Sequence, residues 1–210
     1  MKVKIKGDDV KEVWGTDHAR YVDDGASKYA FFVKDVEEAF TDNPFEQHYY
    51  FYSDPGFSKT FTTQSTCDKF GIEKISFDGS LGVFAFAADL AYTLIRAPKD
   101  GSKIKAVFDD CDSIFERGDP INTVKGMFDP NRQTLSYGKA LTGGILSTLD
   151  EDQLEAIMSF KIPGKSGFTI PTDRFTFVTL SNRPLASSLD IDNATESKKQ
   201  IARDQNAIRR

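Results

Sequence analysis

The sequence predicts an α/β fold of three layers, with a mostly parallel sheet between helices. Three segments rich in aromatic and β-branched residues have the character of strands, and each leads into polar residues. Residues 49–52 precede a loop that closes with Lys59 and Thr60. Residues 104–108 precede Asp109 and Asp110, and residues 174–181 precede Asn182. Segments of helical character separate these strands. Because parallel strands need long crossover connections, this alternation favours a parallel sheet.

The first elements precede and follow the first core strand. A short helix is expected over residues 35–40, after residues 29–33, and Asp42-Asn43-Pro44 should end it before the strand begins. A second helix is expected over residues 60–70, directly after the loop. Gly71 is its predicted C-cap, because glycine adopts the left-handed conformation that commonly ends a helix.

The middle of the chain predicts a strand, a long helix and the acidic strand. The strand covers residues 73–77, and Asp78-Gly79-Ser80 is expected to cap a helix over residues 81–96. The apolar residues of that helix run almost all round, which predicts burial against the sheet. Residues 98–101 then form the turn into the acidic strand.

Two later segments resemble functional elements to different degrees. A helix is expected to begin at Asp150, and residues 163–167 form a loop that contains Gly-Lys-Ser. This loop lacks both the upstream glycine and the preceding apolar strand of a phosphate-binding loop, so we predict a hairpin or a substrate-facing loop. Residues 200–210 have the pattern of an amphipathic helix that ends in arginines.

The loop after the first strand partly matches the pattern G-x-x-x-x-G-K-[ST], in which backbone amides and a lysine hold phosphates and the hydroxyl lies on Mg²⁺. Ser53 and Ser58 occupy the two outer glycine positions, so a Cβ stands where the backbone approaches phosphate. Pro-Gly turns before a lysine also occur in ordinary loops. The predicted nucleotide-binding residues are Pro55, Gly56, Phe57, Ser58, Lys59 and Thr60.

The acidic strand supplies the second part of this site. Asp109 is predicted to join Thr60 in the Mg²⁺ shell, while Asp110 orients or deprotonates the attacking water. The alternative is a strand that ends in a solvated acidic turn. Lys59 is expected at the exposed mouth of the sheet, where its replacement would leave the fold intact.

With these motifs and Asn182 in this order, the chain resembles the AAA+ family of ATPases over residues 47–210. The resemblance implies that Asn182 is the sensor 1 residue, at the end of the fourth core strand, where it lies between the acidic strand and the phosphate loop and positions water near the γ-phosphate. It also implies ATP and Mg²⁺ as ligands and an arginine, Arg209 or Arg210, that acts on ATP bound to a neighbouring subunit. The plain alternatives are a turn-forming asparagine and arginines that interact favourably with a helix C-terminus.

The chain departs from the family in several places. Asp110 stands where the family usually has glutamate, and the segment over residues 112–173 is long, similar to that of ATPases carried by large tailed bacteriophages. We expect residues 1–46 to be an N-terminal extension and linker. Residues 47–210 then form a core that is incomplete at its C-terminus, without the family's fifth strand and helical lid.

Composition is consistent with a nucleotide-binding domain but does not identify one. A chain of 210 residues that is 39% hydrophobic supplies one sizeable domain, and its net charge of −5 argues against bulk nonspecific nucleic-acid binding. The two cysteines have no metal-ligand spacing. Without a membrane-spanning or signal segment, the protein is expected in the cytoplasm of its cell, or of a host.

Three functions remain open from the sequence. The first is Mg²⁺-dependent ATP hydrolysis by a protein that forms a homo-oligomer when full length and acts on nucleic acid or protein. The second is a nucleotide-binding scaffold or loader subunit without hydrolysis, suggested by Ser53, Ser58 and Asp110. The third is a nucleotide kinase, against which the long segment before Asn182 argues.

Overall fold

The computed structural model describes most of the chain between residues 29 and 186: residues 29–41, 48–53, 55–79, 82–116 and 118–186, with residues 195, 198, 199 and 203 beyond them. The elements in chain order are α1 (residues 29–40), β1 (His48–Tyr52), α2 (Lys59–Phe70), β2 (Lys74–Asp78), α3 (Val83–Arg96), β3 (Ile104–Asp109), α4 (Ser113–Glu116), α5 (Gly118–Phe128), β4 (Thr134–Tyr137), α6 (Gly143–Leu146), α7 (Glu151–Ser159), β5 (Phe168–Pro171) and β6 (Phe175–Ser181).

The chain divides into two compact units. One comprises Met1–Pro44 and Gly56–Ile72, and the other comprises Phe45–Pro55 and Glu73–Arg210. The first unit contains α1 and α2, and the second contains the sheet. Among the described residues, no helix combines the length and the apolar character needed to cross a membrane.

In the first unit, α1 packs against α2 and the loop before it. The Tyr29 ring meets Phe57 edge-on at 6.1 Å between centroids, and the Tyr29 hydroxyl lies 3.0 Å from Thr62 Oγ1. Glu37 also forms an ion pair with Lys69. The predicted helix therefore begins earlier than residue 35, because these contacts stabilise its first turns.

The second unit contains a four-stranded, wholly parallel sheet in the order β1-β6-β3-β2. The α/β prediction with a parallel sheet is thus confirmed. The strand before Asn182, β6, lies between β1 and β3. All seven residues of β6 are buried, as expected for a strand paired on both sides.

A group of phenylalanines forms the core on one face of the sheet. Phe77, Phe108 and Phe177 lie on adjacent strands, with ring centroids 5.5 Å and 5.8 Å apart, and Phe86 of α3 covers the first two at 4.9 Å and 5.2 Å. Burial of each such ring stabilises the fold by about 2–3 kcal/mol. This packing holds the strands in register, so that their carboxyl ends form one edge.

One prediction for α3 is wrong and one is confirmed. The helix begins after Gly82 and has no side-chain N-cap, whereas Asp78 is the last residue of β2 and pairs in register with Asp109. The residue predicted as a helix cap therefore belongs to a strand, because it pairs with β3. The predicted burial against the sheet is confirmed, since Phe86 of this helix is fully buried against the sheet phenylalanines, while Ile95 near the helix end is 48% exposed.

The described part of the segment between β3 and β6 contains the helices α4 to α7 and the antiparallel pair β4-β5. Its α7 begins with a capping box between Asp150 and Gln153, and the Gln153 amide also donates to Asp89 Oδ1 of α3 at 2.7 Å. The Gly-Lys-Ser loop lies in a short hairpin closed by the bridge Lys161–Phe168. Since β5 rather than a helix follows it, the hairpin prediction is confirmed.

Candidate functional site

The polar residues predicted from the acidic strand and the sensor strand meet at one edge of the sheet. Asp109 is the last residue of β3 and pairs in register with Leu180 of β6, so Asp110 and Asn182 both leave the ends of neighbouring strands. Parallel strands end at the same edge, and in open α/β sheets this edge is where ligands bind. The sheet thus brings together three of the predicted site residues: Asp109, Asp110 and Asn182.

Asp110 is held at this edge by its backbone and its side chain. Its φ of 51° is left-handed, a conformation that aspartate tolerates better than most residues, and its amide donates to the Leu180 carbonyl at 3.2 Å. The Asn182 side-chain amide donates to Asp110 Oδ1 at 2.7 Å. Asp110 is exposed, so its other carboxylate oxygen can accept a hydrogen bond from water.

Behind this pair, a buried serine links β6 to the start of α4. The fully buried Ser181 hydroxyl donates to Asp112 Oδ1 at 2.6 Å and accepts from the Arg183 amide at 2.9 Å. The contact fixes the backbone on both sides of Asn182. Sequence analysis missed this support. A serine that ends an apolar strand was the available signal, but nothing local identified its partner 69 residues away.

Cys111 packs under the acidic edge. Its thiol is buried and donates to the Phe77 carbonyl at 3.1 Å. Burial, together with the negative charges of Asp78, Asp109 and Asp112, raises the pKa of the Cys111 thiol to about 12. The thiol is therefore neutral at physiological pH.

The predicted phosphate loop begins where β1 ends and passes from the sheet unit to the unit of α2. Ser53, after β1, still donates its amide to the Ser181 carbonyl at 3.2 Å, which extends the β1–β6 pairing. Farther along, Gly56 has a φ of 86°, and Ser58 is the N-cap of α2 with φ 59° and ψ 28°. The Ser58 side chain makes no capping hydrogen bond to the helix.

Lys59 and Thr60 occupy the first turn of α2. Thr60 is exposed, whereas Lys59 is only 7% exposed. The expectation of an exposed Lys59 is therefore wrong. A lysine has a long aliphatic stem that packs well against protein, and for this reason a charged residue can lie in a largely buried position. Truncation to alanine would remove this packing as well as the charge.

The remaining predicted site residues divide between the two units or lie outside the described part. Pro55 belongs to the sheet unit, and Gly56, Phe57, Ser58, Lys59 and Thr60 belong to the helical unit. Arg209 and Arg210 lie outside the described residues, as does most of the helix expected over residues 200–210.

Within the described residues, no three histidine, cysteine or acidic side chains form a group that could hold a metal ion. Mg²⁺ bound with a nucleotide does not need such a group, because one or two carboxylates and the phosphates complete its shell. The half-buried Asp109 fits that requirement. No protein-family model matches this sequence, and no curated protein is significantly similar to it.

Proposed function

We propose that this chain is the nucleotide-binding core of an AAA+-type ATPase of the P-loop class. It binds Mg²⁺ and ATP and hydrolyses the bond between the β- and γ-phosphates. One observation carries the proposal: the 2.7 Å hydrogen bond between Asn182 and Asp110, at the carboxyl edge of a parallel sheet. A carboxylate held in this way by an amide on the next strand is suited to orient water for phosphoryl transfer.

The order of the strands supports the same proposal. β6 and its asparagine lie between the acidic strand β3 and the strand β1 that leads into the phosphate loop. The AAA+ resemblance implies that the sensor asparagine lies between the acidic strand and the phosphate loop, and this strand order is compatible with that position.

The conformation of the loop supports phosphate binding. Gly56 and Ser58 both have positive φ, and such residues turn successive backbone amides toward one side, where they can bind an anion. The first-turn amides of α2 receive no cap from the Ser58 side chain. They are thus suited to a phosphate, which the helix dipole also favours.

In the proposed mechanism the residues have separate roles. Lys59 and the amides of residues 56–60 bind the phosphates, while Thr60 and Asp109 hold the Mg²⁺. Mg²⁺ held by these residues would supply neutralisation of charge on the transferred phosphoryl group. Asp110 accepts a hydrogen bond from the attacking water. Asn182 orients the Asp110 carboxylate through Oδ1 and leaves Oδ2 for that water.

A binding module without hydrolysis is the second candidate, and two observations favour it. Asp110 is one methylene shorter than glutamate and already accepts from Asn182. Ser58 places a Cβ in a left-handed position next to Lys59. Such a subunit would bind ATP as a scaffold or loader and would turn over little of it.

Assembly and substrate belong to the same proposal. We infer a homo-oligomer, with Arg209 or Arg210 supplied to ATP on a neighbouring subunit and with nucleic acid or protein as the substrate of the motor. The cytoplasm of a cell or of a bacteriophage host is the expected location. Mixed oligomers of an arginine variant and a Lys59 variant test the arginine, since activity should partly return.

The central experiment compares Asp110→Asn with Asp173→Asn. Asp173 is an exposed carboxylate before the other end of β6, so it controls for the loss of one charge. Asp110→Asn should bind Mg·ATP as the parent does and lose turnover by at least about tenfold, measured as phosphate release. Asp173→Asn should retain both.

Lys59→Met tests nucleotide binding without emptying a buried position, since methionine keeps most of the aliphatic stem. A fluorescent ATP analogue should bind this variant far more weakly than the parent. Equal affinity would refute the phosphate loop. Parent protein that binds ATP without turnover under assembly conditions would favour the second candidate.

A further inference from the structure

A groove lies in the segment between β3 and β6, beside the antiparallel pair β4-β5. This hairpin groove has a volume of about 540 Å³, within the range of small-ligand sites. Residues from β4, β5 and the Gly-Lys-Ser hairpin line it: Ser136, Tyr137, Gly138, Ile162, Gly164, Lys165, Ser166, Gly167, Phe168 and Thr169. None of these residues is acidic.

Backbone hydrogen bonds and a close backbone contact fix the hairpin that borders the groove. The Lys165 amide donates to the Ile162 carbonyl at 3.1 Å, and the Thr169 amide donates to the Phe160 carbonyl at 3.2 Å. At Gly167 the backbone comes so close to β4 that an added Cβ would lie 1.8 Å from the Tyr137 carbonyl oxygen. Only glycine permits this approach, which fixes the hairpin beside β4.

The groove is basic in a chain of net negative charge. Lys165 lines it, Lys139 follows the lining residue Gly138, and Lys161 pairs with Phe168 across the hairpin. All three lysines are exposed. Acidic residues between positions 130 and 172 are confined to 150–155, at the start of α7, and none of them lines the groove. The charge of the lining itself is therefore positive.

An aromatic ring and hydroxyls accompany this charge. Tyr137 is half-buried, and its ring stacks on Phe168 at 5.4 Å with 14° between the planes. The exposed part of a ring supported in this way can stack with a base. The hydroxyls of Ser136 and Thr169 lie 3.2 Å apart in the same lining and can donate to phosphate oxygens.

We propose that the hairpin groove binds a single strand of nucleic acid. Lys165, with Lys161 and Lys139 at its margin, contacts the phosphates, and Tyr137 stacks with a base. A free phosphate would fill a small part of the volume and would not use the ring, and an acidic peptide has no flat base to stack. The assignment is independent of the proposed nucleotide site.

The test measures binding of a fluorescently labelled oligothymidylate by anisotropy in the absence of ATP. The parent should bind, with an affinity that falls as salt is added. Lys161→Glu/Lys165→Glu should weaken binding at least about tenfold and lower the log–log salt slope by about 1.4, since each phosphate contact on a single strand contributes about 0.7. Lys34→Glu/Lys99→Glu is the control with the same change in charge, at two exposed lysines outside the groove.

A second variant, Tyr137→Leu, keeps apolar packing against Phe168 and removes the stacking ring. It should weaken binding with little change in the salt slope, and unchanged affinity would overturn the stacking contact. Three results would overturn the whole proposal: no binding by the parent at low salt, equal losses in the two lysine pairs, or competition by polyglutamate as effective as that by unlabelled oligonucleotide. ATP binding by the same variants, measured separately, should equal that of the parent.

Discussion

Replacement of Ser58 by glycine tests the conformation of the phosphate loop directly. Ser58 has φ 59° and ψ 28°, and the left-handed region costs an L-residue about 1–2 kcal/mol. Glycine removes this cost but loses about 0.5–1 kcal/mol through the greater freedom of the unfolded chain. We therefore expect Ser58→Gly to raise the free energy of unfolding by about 0–1.5 kcal/mol and to keep or tighten ATP affinity.

Two further substitutions separate the causes. An N-cap serine replaced by alanine usually costs about 1 kcal/mol, but the Ser58 side chain makes no cap. Ser58→Ala should hence change stability by less than about 0.5 kcal/mol. Gly71, with φ 64° at the other end of α2, is the matched control. An added Cβ there meets no atom within 4 Å, so Gly71→Ala should cost about 0–1.5 kcal/mol, the left-handed strain less the gain from a less flexible unfolded chain.

The assay is urea unfolding followed by circular dichroism, with nucleotide affinity measured on the same preparations. Thermal scans should agree, because about 1 kcal/mol corresponds to roughly 2–4 °C in a protein of this size. A clear loss of stability in Ser58→Gly would refute the left-handed assignment. A large loss of ATP affinity in Ser58→Gly and Ser58→Ala alike would show that the hydroxyl is a ligand and that the loop alignment is wrong.

Two other predictions concern the second unit. Burial raises the pKa of Asp89, and Asp150 adds to this effect while the Gln153 hydrogen bond opposes it. The folded state therefore holds this proton to higher pH than the unfolded state, and stability falls as pH rises from 3.8 through the folded pKa. Asp89→Asn should be more stable than the parent at pH 7 and equal to it in acid, and a constant difference across the range would contradict this. The neutral, buried Cys111 and the buried Cys67 should both resist a thiol reagent in the native protein and react after unfolding, so rapid native labelling would show that the core opens easily.

Much of the sheet could be predicted because its signals are local. Each strand is a short run of aromatic and β-branched residues, and Gly71 marks the end of α2 where the left-handed cap is found. Asp110 and Asn182 were each predicted to follow a strand, but the hydrogen bond between them was not predicted. Local patterns therefore identified both the strands and the exposed part of the candidate site.

Other features depend on partners distant in sequence and could not be predicted. Asp78 resembles a helix cap but ends a strand, because β3 pairs with it. Ser181 reaches Asp112 only after the sheet has formed. The burial of Lys59 is likewise a property of the folded surroundings, since the first position of a helix is usually solvated. The neighbouring sequence does not predict the strand position of Asp78, the partner of Ser181 or the burial of Lys59.

The position of β6 has a consequence for how the chain folds during synthesis. Among the strands in the described part of the chain, β6 is the last to be made, yet it separates β1 from β3 in the sheet. Until residue 181 has left the ribosome, β1 has no neighbour, and β3 has one open side beside the pair that it forms with β2. A nascent chain in this state presents unpaired strand edges, which favour association with other chains. Folding of the sheet is thus a late, nearly all-or-none event, and interruption of synthesis before residue 175 should leave aggregation-prone material rather than a smaller folded domain.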